Sequence, residues 1–151
     1  MFLKRISRWK YFNFKKTIRF YEIYFNDFDD LRNGIIFIYE CLKKDKCIGS
    51  IFNLELKTEI DFKNSRYLFK HNNLDYYLID DINYLNDIYF ESIVCMDIMT
   101  VTDSNYICDF KKLFDNFSFY LIGCDHLSNC YLGVDLSQYS DDIISKLPIL
   151  K

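Results

Sequence analysis

The stretch "LIGCDHLSNCYLGVD", residues 121 to 135, places Cys124, Asp125, His126, Cys130 and Asp135 within fifteen positions. Two chemistries use such residues. A structural zinc site needs four tetrahedral Cys or His ligands, usually delivered as close pairs on tight turns. Cys124, His126 and Cys130 supply three, with Asp125 or the distant Cys108 as a fourth. A cysteine nucleophile instead needs a thiolate stabilised by a nearby imidazolium, together with an oxyanion hole of backbone amides. Cys124 and His126 could form that pair, but no third group is in place to orient the imidazole, and His71 lies far off in sequence. The spacing C-x-H-x3-C matches no zinc signature. Tyr131, Gly133 and Asp135 alternate with Leu132, Val134 and Leu136, which is the period of a strand with one apolar face. The stretch therefore reads as a β-hairpin with "CDHLSN" between its strands, Gly123 and Gly133 lying in or beside paired strands, and neither metal nor catalytic residues.

Adjacent acids such as Asp80-Asp81 and Asp141-Asp142 suit helix caps or solvent better than an acid–base dyad, and the four scattered glycines form no phosphate loop. The expectation is a non-enzyme without a cofactor. Six cysteines, separated by 5, 47, 12, 15 and 5 residues, contain no C-x-x-C pair, and no secretory signal precedes them. They read as reduced thiols in a cytoplasmic protein, most of them small buried hydrophobes. The longest uninterrupted apolar run, Ile35 to Tyr39, is too short to cross a bilayer.

Charge carries the strongest functional hint. Seven basic residues and no acid lie between Met1 and Tyr21, whereas the rest of the chain has twelve basic and twenty-two acidic residues. That sets +7 beside −10. The basic segment reads as a helix over Phe2 to Phe14 docked on the acidic body. Trp9, Tyr11, Phe12 and Phe14 between its bases leave contact with nucleic acid or anionic lipid as another use. The acidic body suits a basic partner protein, whose approach it would steer. The candidate partner-binding residues are Asp80, Asp81, Glu91, Asp125 and Asp135. Alanine is absent and aromatics make up 19% of the chain, which an A/T-rich coding bias explains without invoking a ligand platform.

The elements that must position these residues follow from periodicity. Thr17–Phe25 is β-branched and aromatic, as in a strand. Asn33-Gly34 is turn chemistry that would pair it with Ile35–Leu42, although Leu31, Ile35, Ile38 and Leu42 also fit a helical stripe. A strand begins within "CIGSIFNLELKTEIDF", and two short strands flank His71-Asn72-Asn73. Ile82 to Ile93 has helical spacing with Asp80 or Asp81 as cap, and "VCMDIMTV" is a buried strand. A helix capped at Thr102 to Ser104 carries Tyr106, Ile107, Phe110, Leu113 and Phe114. The tail has room for a helical turn or two before Pro148. The 151 residues suit one domain of α+β class, mainly antiparallel sheet with several helices packed on it.

Ile122-Gly123, Asp125, Asn129, Tyr131, Asp135 and Leu136, preceded by "LIDDINYLNDIYF", resemble the C-terminal part of the SMI1/KNR4 (SUKH) family. The resemblance covers about a third of the chain. The family's N-terminal "LP-x-x-Y" with its Asn-Gly-Gly loop is missing, unless Asn33-Gly34 is a remnant. The resemblance implies an α+β fold and an immunity-type role, the neutralising of a toxin that is often a nuclease. A virus- or mobile-element-encoded host-interaction module and a nucleic-acid-binding accessory protein are the alternatives. The expected partner is thus a toxin or host protein, with no membrane, and the chain itself a monomer or weak homodimer.

Overall fold

Alternation of apolar and polar residues, read strand by strand, builds one large sheet. The computed structural model describes residues 1–7, 17–60, 62 and 65–151. These form a nine-stranded sheet in the order β1(Phe2–Ile6), β2(Ile18–Tyr24), β9(Asn129–Asp135), β8(Phe119–Cys124), β7(Ile93–Val101), β3(Lys46–Asn53), β6(Leu74–Leu78), β5(Arg66–His71), with β4(Thr58–Glu59) also paired to β3. Every named pair is antiparallel. A parallel bridge from Leu3 to Ile149 lies at the β1 edge. The fold is α+β and a single domain.

The helices lie on the two faces. On the first face α1(Phe28–Leu42) buries Leu31, Gly34, Ile35, Ile38 and Leu42. These residues join Leu3, Ile51, Ile98, Leu121 and Leu132 in the larger core. Asp27 caps α1, its carboxylate accepting from the Asp30 N–H at 2.7 Å. The expected Asn33-Gly34 turn is overturned: the apolar stripe of a fifteen-residue helix gains more from covering a sheet than a hairpin could offer it. Gly34 is retained inside that helix because Met1 packs against it, where a Cβ would meet the Met1 side chain. The Met1 amine is ion-paired to Asp30 at 2.7 Å.

The N-terminal helix expected over Phe2 to Phe14 is also corrected. Phe2–Ile6 is a strand, paired residue for residue with β2 from Phe2↔Tyr24 to Ile6↔Phe20. Leu3 is fully buried while Phe2 and Lys4 are exposed, and this period of two decides against the helical spacing. Lys4 stands opposite Glu22, so part of the basic segment meets acidic residues by strand pairing. The remainder, Arg8 to Lys16, lies outside the described residues.

The helix expected over Ile82 to Ile93 is two 3₁₀ turns, Ile82–Asp87 and Phe90–Ser92. The buried residues Ile82, Leu85 and Ile88 recur every third position, which suits three residues per turn better than 3.6. On the second face, Ser104–Cys108 is a 3₁₀ turn and α2(Phe110–Asn116) follows it. The single helix expected there is interrupted by Asp109, whose carboxylate takes the Lys112 N–H at 2.8 Å and starts α2 anew. Ile107, Leu113 and Phe117 pack with Ile48, Met99, Tyr120 and Ile122 in the smaller core. The last helix, α3(Asp141–Ile144), is capped by Ser140 and precedes Pro148.

Candidate functional site

The expected hairpin of the first motif is β8–β9, and Gly123 and Gly133 are both in its strands. Cys130 stands opposite Gly123 on the first face, whereas Cys124 belongs to the second-face core. Their thiols therefore do not converge. Cys130 is buried, donates to the Leu127 carbonyl at 3.2 Å, and has its thiol pushed up to about 12 by burial. It is no thiolate, and no partner for His126 in a metal or nucleophile site.

The turn between the strands is unusual. Asp125, His126 and Leu127 all have positive φ, at 51°, 58° and 59°. None is glycine, and Leu127 in this region is an outlier by ordinary sterics. What holds it is burial: Leu127 has no exposed surface and folds back over Gly123, where a Cβ would collide with its side chain. The turn is tied further by the Ser128 hydroxyl to the Asp125 carbonyl at 2.7 Å and by Asn129 Nδ2 to the Asp125 carboxylate at 3.1 Å.

The five candidate acids do not form one cluster. Register divides them between the two ends of the sheet. β7 starts at Ile93, opposite Asn53, and the β8–β9 turn follows Gly123, opposite Met96. Glu91 and Asp125 therefore share this end, and both are exposed. Asp80 and Asp81 follow Leu78, which pairs with Ile48 and so sits level with Met99. Six residues of β7 separate those levels, roughly 20 Å at ~3.3 Å per residue. Asp81 caps the 3₁₀ turn by accepting from the Asn83 N–H at 2.9 Å.

Asp135 is at that second end and is buried. Its carboxylate accepts from the Ser137 hydroxyl at 2.6 Å and the Ser137 N–H at 3.1 Å, with Gln138 further off at 3.4 Å. Burial pushes its carboxyl up, but these bonds and one from Thr17 outweigh it and hold it below the ordinary range. A side chain so engaged caps the turn that follows β9.

The end where β7 begins is acidic well beyond Glu91 and Asp125. Asp27 and Asp29 at the start of α1, Glu55 in the β3–β4 turn, and Asp87 before β7 are exposed there too. Against them stand Arg32, tied to Asp29 at 2.7 Å, Lys57, and Lys70, paired with Asp75 at 3.1 Å. Large apolar side chains accompany the acids. Of eight exposed ones among the described residues, Phe2, Tyr24, Leu54, Leu56 and Tyr89 are at this end. Phe2 and Tyr24 are stacked with ring centroids 5.0 Å apart. β1, which carries Phe2, and β3 are five strand steps apart, a front of about 24 Å at ~4.8 Å per step.

Periodicity did not reveal a second constellation, on the face under α2. Asp97 is buried in the middle of β7, directly opposite Ser50 and Ile122. Its carboxylate accepts from the Tyr76 hydroxyl at 2.6 Å and is also bonded to Tyr120. Desolvation raises its carboxyl above the ordinary value, and the two tyrosine bonds offset only part of that. One step along the same face, Cys95 and Cys124 lie near enough for each thiol to influence the other's titration. His71 closes the group from β5, stacked on Phe110 of α2 at 4.0 Å. The sequence signal was a lone Asp in "VCMDIMTV", where an apolar strand carries one charge. Buried under the α2 layer, the Asp97 carboxylate is held by the two tyrosine hydroxyls of this face.

A polar cavity of about 100 Å³ is lined by Arg5, Ser7, Arg19 and neighbours, smaller than the roughly 300–1,000 Å³ of small-molecule sites. Among the described residues no group of three metal-ligating side chains converges, and no helix is long and apolar enough to cross a membrane. Comparison with protein-family models, with curated proteins and with solved structures finds no match in any of the three.

Proposed function

We propose that this chain is a non-enzymatic binding protein, an immunity-type inhibitor that covers a basic face of a partner protein. The observation that supports this most is the coincidence, at one end of the sheet, of exposed carboxylates with exposed Phe2, Tyr24, Leu54, Leu56 and Tyr89. Protein interfaces are built this way: aromatic and aliphatic anchors supply buried area, and charged residues around them choose the partner and speed its approach. A front of about 24 Å is of the order required for a standard interface of ~800 Å² per partner. The resemblance of residues 121–136 to the SMI1/KNR4 family points the same way, and a nuclease toxin, whose active face is basic, is the partner class it favours.

Within this reading the acting residues are Glu91 and Asp125. Asp80 and Asp81 face the other end, and Asp135 is structural. Co-expression with a toxin encoded beside this chain's gene tests it. The chain should restore growth, and Glu91→Lys with Asp125→Lys should remove protection while the purified protein keeps its thermal midpoint. Protection unaffected by that pair, yet lost with Asp80→Lys, would place the interface elsewhere. Absence of binding to any neighbouring gene product, with retention on RNA or DNA that weakens with salt, would favour the nucleic-acid alternative.

A further inference from the structure

The geometry points to Cys95 and Cys124 as a reversible two-electron redox pair that closes to a cross-strand disulfide. Cys95 follows Val94 on β7, and Cys124 ends β8. Met96 opposite Gly123 is the last pair between these strands, and one further step of the same antiparallel register brings Cys95 and Cys124 to facing positions. Both belong to the second face, they lie near enough for each thiol to influence the other's titration, and both are partly exposed.

Facing residues in an antiparallel pair have Cα atoms about 4.5–5.5 Å apart, inside the range a disulfide spans. Their Cβ atoms, about 4.5–5.5 Å apart, must draw together by up to an ångström, so the bond forms with strain and is readily reduced again. The other thiols differ. Cys47 and Cys130 are buried, Cys108 is exposed, and Cys41, partly exposed, is on α1 against the core of the other face. Cys130, opposite Gly123, belongs to the core on the other face.

The two sulfurs are not equivalent. Cys124 ends β8 at the foot of the exposed turn, whereas Cys95 lies within β7, flanked by Phe52 of β3, so an oxidant meets the Cys124 sulfur first. Cys124 is therefore the attacking sulfur. With a hydroperoxide as oxidant, its thiolate displaces hydroxide from the peroxide and becomes a sulfenic acid. The Cys95 thiol then attacks that sulfur, its proton leaves with the sulfenic hydroxyl as water, and the S–S bond forms. Two thiols are oxidised, one peroxide is reduced, and thiol exchange with a reductant such as dithiothreitol reverses the change. The bond would staple the base of the positive-φ turn that presents Asp125, so the same oxidation would rigidify one edge of the acidic end.

The full chain carrying Cys108→Ser, to prevent linkage between chains, is treated with hydrogen peroxide in slight excess and its mass is measured intact and after digestion. The expected result is loss of two hydrogen atoms, a peptide joining Cys95 to Cys124, and full recovery with dithiothreitol. Cys95→Ser should instead trap a sulfenic acid at Cys124 that dimedone captures, and Cys95→Ala provides the same readout should the serine be poorly tolerated. Stepwise addition of oxygen to Cys124 in the chain that retains Cys95, or a crosslink that involves Cys41, Cys47 or Cys130, would overturn the assignment.

Discussion

At the residue scale, two buried carboxylates have opposite effects on stability. Asp97 has its carboxyl raised by burial, so the folded chain holds that proton more tightly than the unfolded chain does. The stability contributed by the protonated form is present below the ordinary aspartate value and lost as pH rises through the folded value. Asp97→Asn keeps an acceptor for Tyr76 and cannot ionise. Its thermal midpoint relative to wild type should therefore rise from about pH 4 up to the folded value and then level off, and a difference that is flat with pH throughout would show that the Asp97 carboxyl is not raised by folding. Asp135 is the mirror case. Its carboxyl is lowered, so its contribution is present above the ordinary value and lost as pH falls through the folded one. Asp135→Ala should cost about 1–2 kcal/mol at neutral pH and little in acid. Asp80→Ala should stay within about 0.5 kcal/mol, as exposed sites do. Denaturant titration of both variants at two pH values separates them.

At the element scale, the β8–β9 hairpin depends on one close approach. Leu127 occupies the space that any side chain at residue 123 would need, and this burial is what sustains three consecutive non-glycine residues at positive φ. Leu127→Ala should cost about 2–5 kcal/mol as a buried leucine truncation. Gly123→Ala should cost at least ~1 kcal/mol by displacing Leu127. The pair should cost less than the sum, because alanine at 127 removes the atoms that alanine at 123 would strike. Strict additivity in a double-mutant cycle would show that the turn is held by its hydrogen bonds alone. Gly133 is a similar case on β9, where the Phe20 ring lies 2.9 Å from the position of an added Cβ. In α2, Asp109→Ala removes the cap that starts the helix and should cost about 1 kcal/mol, read as a lower denaturation midpoint with an unchanged slope.

At the scale of the whole molecule, charge and topology act together. The chain folds back so that β2, early in sequence, pairs with β9, near its end, from Ile18↔Asp135 to Glu22↔Tyr131. This long-range closure brings Tyr24 and the start of α1 to the same end as the β8–β9 turn and the entry to β7. The acidic character of that end should be seen in association kinetics. Neutralising Glu91 and Asp125 should slow association with a basic partner and flatten its dependence on salt, whereas neutralising Asp80 and Asp81 should leave both unchanged. Stopped-flow association at two ionic strengths separates these outcomes, and equal effects from both pairs would mean that net charge, and not this end, steers the encounter.

Strands with strong local alternation were legible in the amino-acid sequence: β2, the β5–β6 pair around His71-Asn72-Asn73, β7, and the β8–β9 hairpin with both of its glycines. So were the α+β class and the capping chemistry of Asp81, since these depend on period and on neighbours a few residues away. Tertiary structure decided the rest. Short apolar stretches fit two periods equally well, and only the available surface chose: an open edge of β2 took Phe2–Ile6 as a strand, and an uncovered sheet face took residues 28–42 as a helix. Register, which no local pattern encodes, sent Cys124 and Cys130 to opposite faces and set Cys95 beside Cys124 from 29 positions away. It also divided the five acids between two ends of the sheet, because the level of a residue along a strand depends on its partners' positions and not on its own neighbours.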